Sequence, residues 1–599
     1  MKRLVWVVTV LSVAACAGPQ AERDATGGAG DTPESIAADY WEARSKRWPT
    51  GATFRGDRRY DDRLADLSDE AHRAWLDTLS GFRVRVERES LRQLEGQSRL
   101  TAQVLATQLR DALAGEVCQQ RLWGVDQLSG WHVTLPELGT YQIVDSPSAA
   151  AAYLARVRAV GPLIDQELAN MKRGLDEGYV AARVTVRRVV KQLDAMLKKP
   201  TIEEPDEEPD TPYVDVVPRA TGLDDQAKMA FRADILQAVG DGLRPALERY
   251  RDFLRDTYLP KARTKVGVGN NRDGAACYAA RIRRQTGSTL DPAAIYQIGL
   301  DELERLRARM LVIAKRAGHQ EIASYIAALD GSPDQHLTTR EELLEHNSKL
   351  VRRALAALPR AFGLLPPISV GVRAIERFRE ADAVAAYYYA AADDGSRPAY
   401  YYVNTHRPET RPLYNMEALA FHEAVPGHHL QISIAQSLDD LPKIRRHGGF
   451  SAYVEGWALY SELVADELEL YSTDATRFGM LNYQAWRATR LVVDTGMHAL
   501  GWDRERAITF MHDNLAFPEN EIANEVDRYI VWPGQALAYM MGRMHIQKLR
   551  GRAEKRLGSA FDLRAFHDRV LENGPLPLGV LEEVIDAWLS EPVEAHASR

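Results

Sequence analysis

The sequence predicts a mainly helical protein that carries one small β-hairpin. Through most of the 599 residues, apolar side chains recur every three or four positions, which is the spacing of one face of an α-helix. Residues 292–318 show this pattern clearly, with five apolar side chains near one face: Ile295, Ile298, Leu303, Leu306 and Met310. A clear strand signal occurs only in a Tyr-rich stretch, residues 384–403. With 45% hydrophobic residues, the chain can bury a large core.

The first fifteen residues have the pattern of an export signal. Lys2 and Arg3 precede an apolar run that ends at Ala15, and this run is much shorter than the ~20 residues needed to span a bilayer. Cys16 follows small residues as in bacterial lipoproteins, so we predict that Cys16 is lipidated. Ala17 after it favours anchoring in the outer membrane, facing the periplasm. The alternative is an ordinary secretory signal with a chance cysteine, and both interpretations export the protein.

Composition divides the rest of the chain. Residues 16–33 are small, polar and Gly-rich, as expected for a flexible tether. The body spans residues 34–590, in which the acidic, Pro-rich segment 201–218 is expected to be a surface loop between an N-terminal half, 34–200, and a C-terminal half, 219–590. The net charge of −8 offers no cationic surplus for phosphates, so nucleic acid is excluded as a partner. Contact with a membrane is expected only through the lipid anchor.

Two further cysteines, Cys118 and Cys277, lie in the predicted body. Neither belongs to a C-x-x-C motif, so thiolate metal or redox chemistry is not indicated. They form either one disulfide or two buried thiols, and the sequence leaves both possibilities open.

Two Tyr-rich runs predict a hairpin ahead of the most informative helix. Residues 384–389 and 400–403 flank the turn-forming residues 393–396. The helix that follows is predicted to begin after Asn415, a suitable N-cap residue. Glu417 would then lie in the first turn, where the helix dipole favours an acid.

The stretch FHEAVPGHHLQ, residues 421–431, predicts a metal site on an interrupted helix. It begins like H-E-x-x-H, in which histidines on adjacent turns bind zinc and the glutamate serves as base. His422 and Glu423 fit the first two positions, but Pro426 stands where the second histidine belongs. Because proline cannot continue a regular helix and Gly427 can take up unusual dihedrals, we predict a two-residue bulge here.

This bulge decides which histidine is the second ligand. We predict that it brings His428 beside His422, so that both bind one Zn²⁺ ion while Glu423 acts as general base. His429 then lies outside the ligand set, behind it or toward the substrate cleft. The alternative pairs His422 with His429, because that spacing keeps the helical phase over a kinked two-turn segment.

A catalytic zinc site needs a third protein ligand, and the helix predicted within residues 451–471 offers one. Its apolar positions leave Glu455 and Glu462, seven residues apart, on another face. We predict that Glu455 is the third ligand and that Glu462 accepts the N–H of a ligating imidazole. The plainer alternative is that both are solvated surface glutamates.

A third segment, residues 524–543, is predicted to break at residues 533–534 and to restart there as a helix. Arg528 and Tyr529 precede the break. A phenol can stabilise an oxyanion and a guanidinium can hold a carboxylate, so we predict these catalytic roles for Tyr529 and Arg528 respectively. The alternative is an ordinary surface arginine beside an interfacial tyrosine.

Five segments together resemble one protein family: YYVNT, EALAFHEAVPGHHLQ, YVEGWALYSE, EVDRYIVWPGQALAY and FDLRAFHDRVL. They resemble the DUF885 family of bacterial lipoproteins and related proteins of unknown function, and the likeness covers about residues 34–590. In pattern, that family is similar to the helical gluzincin metallopeptidases. The resemblance implies a two-lobed, zincin-like (gluzincin) fold with a deep central channel and a small sheet beside the zinc-binding helix. It also implies that Asn404 and Thr405 lie along a bound substrate.

These features predict an exported, lipid-anchored zinc peptidase that acts on peptide substrates with one Zn²⁺ ion. The resemblance implies exopeptidase action, of carboxypeptidase or dipeptidase type, on short peptides. A zinc hydrolase of a non-peptide amide or ester would use the same residues. A non-catalytic binding lipoprotein would keep the fold but would not need the base Glu423.

Overall fold

The computed structural model describes residues 31–88, 93–198, 211–375, 377, 380 and 383–592. The predicted export signal, Cys16, most of the tether and residues 201–210 of the acidic segment lie outside the described residues. Within the described ranges, no helix combines the length and apolar character that crossing a bilayer requires.

Helices make up most of the described chain, which confirms the mainly helical prediction. The first ten are α1 (Pro33–Arg47), α2 (Pro49–Phe54), α3 (Asp69–Val86), α4 (Gly96–Ala114), α5 (Trp131–Thr134), α6 (Leu138–Tyr141), α7 (Pro147–Glu177), α8 (Arg183–Leu197), α9 (Asp225–Ala238) and α10 (Arg244–Asp252). The helices that follow are α11 (Gly274–Thr286), α12 (Pro292–Arg316), α13 (Ile322–Asp330), α14 (Arg340–Ala357), α15 (Met416–Glu423), α16 (His428–Gln436), α17 (Lys443–Arg446), α18 (Ser451–Glu467), α19 (Asp474–His498), α20 (Arg504–His512), α21 (Glu519–Val531), α22 (Ala538–Leu557), α23 (Leu563–Leu571) and α24 (Leu578–Leu589).

One small sheet contains the strands β1 (Val370–Ala374), β2 (Ala386–Tyr389) and β3 (Ala399–Val403). β2 and β3 pair antiparallel, with Tyr387 opposite Tyr402, so the predicted hairpin is confirmed. β1 was not predicted, and it pairs parallel to the other edge of β3. The central strand is therefore β3, because the order is β1-β3-β2.

The apolar pattern of α12 illustrates why the helices pack as they do. Leu303, Leu306 and Met310 are all almost completely buried, as their common face predicts. This face lies along α19, and the contact is close at Gly299, where an added Cβ would be 2.8 Å from the Leu491 side chain. The packed pair α12 and α19 supports the helices that carry the site, because α19 also contacts α15 and α22.

Buried apolar side chains form two clusters, here called the first and second cores. The second core draws its members from residues 125–262 and is built mainly by α7, α8, α9 and α10. The first core contains members from α1, α3 and α4 and from most of the chain after residue 262. Helices on both sides of the acidic segment 201–218 share the second core. Hydrophobic packing thus runs across this segment instead of dividing there.

A disulfide between Cys118 and Cys277 joins the end of the α4 region to α11. The two Cα atoms are 4.7 Å apart, and both residues belong to the first core. The structure thus settles the question that the sequence left open in favour of the bonded pair.

Candidate metal centre

The metal motif lies on a helix that is interrupted where the sequence predicts. α15 ends at Glu423 and α16 begins at His428, with a cis peptide bond before Pro426. The backbone of Gly427 passes so close to α15 that a Cβ at this position would lie 1.9 Å from the carbonyl oxygen of His422. Only glycine fits this close approach, which explains why residue 427 is a glycine.

Three consecutive residues of α18 fasten this interruption and complete the site. Glu455 faces the two histidines of the motif. Gly456 allows α22 to approach closely, because a Cβ on Gly456 would lie 2.5 Å from the Cα of Gly542. The Trp457 indole N–H donates to the carbonyl of Pro426 at 3.0 Å. The E-G-W sequence thus has one task for each residue.

Four potential ligand groups converge at the interruption. His422, Glu423 and His428 each offer an atom within 4.8 Å of the others. Glu455 Oε2 lies 3.4 Å from His428 Nε2 and 3.8 Å from His422 Nε2. Ligands bound at ~2.0 Å in a tetrahedron are about 3.3 Å apart, so these separations fit a zinc ion. Both acids adjoin the histidine pair, and the distances from Glu455 to the two histidines are close to a tetrahedral edge.

The electrostatics of this cluster favour a bound cation. Burial raises the pKa of Glu455, but the neighbouring His422 and His428 outweigh this effect and hold the pKa well below its usual range. Burial opposes protonation of His422, yet hydrogen bonds to Glu455 and Glu462 raise its pKa to about 9. A proton and a metal ion therefore compete for this imidazole.

Glu462 holds the His422 ring from the side opposite Glu455. His422 Nδ1 lies 2.9 Å from Glu462 Oε1, so the carboxylate accepts the Nδ1 proton and leaves Nε2 as the ligand nitrogen. Gln484 on α19 donates to the other oxygen of Glu462 at 2.8 Å. Glu462 is fully buried, and this contact is of the kind that the sequence predicts for it.

His429 is turned away from the cluster. Its Nε2 donates to the Ile368 carbonyl at 2.8 Å, and its Nδ1 accepts from the Tyr388 hydroxyl at 3.0 Å. Burial lowers the pKa of His429 to about 4, so the ring is neutral. Because both nitrogens are occupied, this geometry favours His428 over His429 as the partner of His422. The Nδ1 atom of His428 itself is buried and has no hydrogen-bond partner among the described residues.

Tyr529 and Arg528 lie in a polar network next to the site. Tyr529 is 1% exposed, and its hydroxyl accepts from Trp486 at 3.0 Å and from Arg490 at 2.9 Å. Glu525, which pairs with the same Arg490, lies beside this hydroxyl. The structure therefore commits this phenol to its neighbours and does not present it to a substrate.

Another phenol, that of Tyr539, lies beside the metal cluster. Its ring stacks on His422 with centroids 6.2 Å apart. Arg528 donates to its hydroxyl at 2.9 Å, which leaves the hydroxyl proton free to donate elsewhere. Tyr539 was missed because the break after α21 disconnects its helical phase from that of Tyr529.

Two further residues were missed on α19, namely Gln484 and Arg487. Nearly every position of this helix from residue 476 onward is buried. Polar residues that recur every three or four positions in such a buried helix indicate a functional or hydrogen-bonding role, because a buried helix face is otherwise apolar.

The side chains of Asn404 and Thr405 are not available to a substrate. Both residues are buried, and the Asn404 amide donates to the carbonyls of Glu380, Ala383 and Val384. The strand before them, β3, is paired along both edges, so an extended peptide cannot add to it. This geometry does not support the contact that the resemblance implied.

The chain is similar to two solved structures over most of its length. One is the crystal structure of "the putative lipoprotein from Colwellia psychrerythraea", which is 27% identical, with a TM-score of 0.86 over 93% of this chain and 98% of that one. Another is "a putative lipoprotein of unknown function from Shewanella oneidensis", 16% identical, with a TM-score of 0.70 over 93% of this chain and 100% of that one. At 16% identity, the second likeness concerns the fold alone.

No curated protein matches the chain significantly. The model of a family described as "Bacterial protein of unknown function" matches residues 49–585, which is most of the chain. The chain therefore belongs to the bacterial family DUF885.

Proposed function

We propose that this protein is a zinc-dependent peptidase with Glu423 as its general base. The observation that carries the proposal is that His422, Glu423 and His428 converge, with Glu455 at 3.4 Å from His428 and 3.8 Å from His422. A structural zinc site would be closed by four ligands, whereas three ligands and an adjoining acid suit hydrolysis. The side chains of His428 and Glu455 are 11% and 20% exposed, so this side of the cluster is accessible.

Each residue of the cluster has a role in this proposal. A zinc ion held here would supply Lewis-acid polarisation of the scissile carbonyl and acidify the attacking water. Glu423 accepts the proton of that water and passes it to the leaving amine. Glu462 keeps the His422 ring in its ligand orientation.

The oxyanion role predicted for Tyr529 passes to Tyr539 in this proposal. The Tyr539 hydroxyl keeps a free proton and belongs to the ring stacked on His422. Arg528, which donates to this hydroxyl, orients it and stabilises negative charge there. Arg528 thus acts through Tyr539 instead of holding the substrate carboxylate directly.

The finer features implied by the resemblance also belong to the proposal. These are a gluzincin-like, two-lobed fold with a channel, and exopeptidase action on short peptides. The solved structure from Colwellia psychrerythraea is called a putative lipoprotein, which supports the predicted export and anchoring through Cys16. Anchoring in the outer membrane is proposed from Ala17 alone.

The proposal is tested with three purified proteins: the parent, Glu423→Gln and Glu455→Ala. Each is incubated with a mixture of short peptides, products are identified by mass spectrometry, and bound zinc is measured by inductively coupled plasma mass spectrometry. We expect cleavage by the parent alone. Glu423→Gln should retain zinc because it removes only the base, whereas Glu455→Ala should lose zinc.

The termini of the products separate exopeptidase from endopeptidase action. Full activity of Glu423→Gln contradicts the mechanism, and unchanged zinc in Glu455→Ala removes Glu455 as a ligand. Zinc binding without cleavage of any peptide by the parent would favour a non-peptide substrate or a binding protein.

A further inference from the structure

Arg487 is a buried cation without a hydrogen-bonded counterion among the described residues. It lies on α19, is 3% exposed, and has buried Nε and Nη1 atoms with no hydrogen-bond partner. Aromatic rings flank it: the guanidinium carbon is 4.3 Å from the ring centre of Trp486, 4.8 Å from that of Tyr483 and 5.8 Å from that of Tyr539. Aromatic faces attract a cation but leave most of its N–H donors unpaired.

Arg487 is next to the candidate metal centre. Gln484, which precedes it by one turn on the same face of α19, donates to Glu462, the carboxylate that holds His422. Tyr539, which flanks Arg487, also stacks on His422. Tyr539 thus connects this guanidinium to the His422 imidazole, and Gln484 places the same face of α19 against the carboxylate that holds that ring.

The acids near Arg487 are already engaged elsewhere. Glu462 accepts from His422 and Gln484, and Glu525 accepts from Arg490 at 3.0 Å. Glu521 is within electrostatic reach, but burial and the nearby Glu525 raise its pKa to about 7, so it carries only part of a charge at neutral pH. None of the three makes a hydrogen bond to Arg487 in the described part of the chain.

An unpaired charge of this kind destabilises a fold, so its presence calls for a partner that arrives from outside. We infer that Arg487 binds a carboxylate of the substrate beside the metal centre. A guanidinium is suited to this because its fixed N–H donors match the two oxygens of a carboxylate. The inference rests on the proposed function, since it takes the ligand to be a peptide. The carboxylate belongs either to the peptide C-terminus or to an acidic side chain.

Binding is measured without turnover, on zinc-loaded Glu423→Gln protein, by isothermal titration calorimetry. The probes are Ala-Ala-Ala with a free C-terminus, the same peptide with an amidated C-terminus, and amidated Ala-Glu-Ala and Ala-Gln-Ala. The first pair tests a C-terminal carboxylate, and the second pair tests a side-chain carboxylate.

In at least one of the two pairs, we expect the peptide with the carboxylate to bind about ten- to a hundred-fold more tightly than its neutral counterpart. Adding Arg487→Gln should remove this preference by weakening the carboxylate peptide alone. The control is Arg477→Gln, which makes the same chemical change at a partly exposed position of the same helix, where the arginine pairs with Asp466. It should leave every Kd unchanged.

A preference that survives in Arg487→Gln overturns the inference, and so does the absence of binding by all four peptides. The melting temperature gives a second readout. We expect Arg487→Gln to melt no lower than Arg477→Gln, because it removes a buried unpaired charge. A clear destabilisation would identify Arg487 as a structural residue instead.

Failure of the proposed function is distinguishable from failure of this inference. If the parent protein cleaves no peptide but the carboxylate preference depends on Arg487, the function is wrong and the inference stands. If the parent cleaves peptides while the preference ignores Arg487, the reverse holds.

Discussion

At the proposed metal site, Glu462 is expected to govern zinc binding without being a ligand. It is fully buried and accepts from His422 Nδ1 at 2.9 Å and from Gln484 at 2.8 Å. Glu462→Gln keeps the shape of the side chain but removes its charge and one acceptor oxygen. We expect zinc affinity to fall about 10- to 100-fold with little change in fold.

Competition with a zinc chelator measures this affinity directly. The matched control is Glu467→Gln on the same helix, because Glu467 is 44% exposed and pairs with Arg550 away from the site. Equal chelator resistance of Glu462→Gln and the parent would show that the hydrogen bond to His422 does not support the metal.

The histidine pair shows what sequence can and cannot resolve at this scale. Pro426 predicts the interruption because its chemistry forbids a regular helix. The choice between His428 and His429 depends on where the chain goes after the break, and helical phase no longer applies there. In the structure, Ile368 and Tyr388 occupy both nitrogens of His429, and neither partner is recognisable from the sequence. The metal role of His428 itself stays a prediction.

Among the elements, the crossing of α18 and α22 determines where Glu455 points. The two helices meet at Gly456 and Gly542, and a Cβ on Gly542 would lie 1.8 Å from the Ala452 carbonyl oxygen. Gly542→Ala would gain helix propensity but must push the helices apart. We expect a loss of about 1–3 kcal/mol in the free energy of unfolding and weaker zinc binding, since Glu455 moves with α18.

Chemical denaturation and zinc content check this prediction together. Gly551→Ala is the control, because it lies on the same helix with open space around its Cβ position. This control should stabilise the protein by up to about 1 kcal/mol. If both variants behave alike, the crossing is not as tight as the structure indicates.

The small sheet marks the limit of prediction at the element scale. The hairpin of β2 and β3 was predictable because Tyr-rich runs flank a local turn signal. β1 pairs with β3 across 29 residues of sequence, as Val370 lies opposite Ala399, and nothing local encodes that pairing. This long-range pairing is also what makes β3 the central strand and removes its edge from substrates.

α7 carries a buried acid that makes stability depend on pH. Burial raises the pKa of Glu167 to about 7 from its ordinary value of 4.5. The folded state therefore keeps a proton that the unfolded state loses, and the stabilisation present below about pH 4.5 is lost as pH rises through about 7. We expect Glu167→Gln to be about 3 kcal/mol more stable than the parent at about pH 8 and nearly equal at about pH 4.

Urea unfolding at both pH values gives the comparison. Other buried acids titrate in both proteins alike, so the difference between parent and variant isolates Glu167. A pH-independent difference would mean that Glu167 ionises normally in the folded protein.

At the scale of the whole molecule, the second core is formed by a chain segment inserted between two parts of the first core. Its members span residues 125–262, and except for Tyr179 and Ala182 the buried members of the first core lie before or after them. The sequence predicted instead that the acidic segment 201–218 separates two halves. Composition identifies a solvated segment, but it does not indicate which helices pack together on either side of it.

The Cys118–Cys277 disulfide closes this inserted segment at its base. The two cysteines are 159 residues apart, and the loop between them contains the whole second core. Closing so long a loop restricts the unfolded chain, so we expect Cys118→Ala/Cys277→Ala to lose up to about 5 kcal/mol of stability. Because the metal cluster lies outside this loop, zinc content should stay unchanged in the folded variant. Such a bond also suits the oxidising compartment that the proposed export would imply.

Differential scanning calorimetry of the parent and the double variant, with and without reductant, tests this expectation. Reductant should lower the melting temperature of the parent toward that of the variant and leave the variant unaffected. After alkylation of the unfolded, unreduced parent, mass spectrometry should show that neither Cys118 nor Cys277 has been alkylated, because both are held in the disulfide. Alkylation of both Cys118 and Cys277 in that sample, or equal melting temperatures of the parent and the double variant, would show that the second core does not depend on this bond. Zinc loss confined to the double variant would instead show that the disulfide supports the metal centre. The connection would run through α11, which carries Cys277 and packs in the first core.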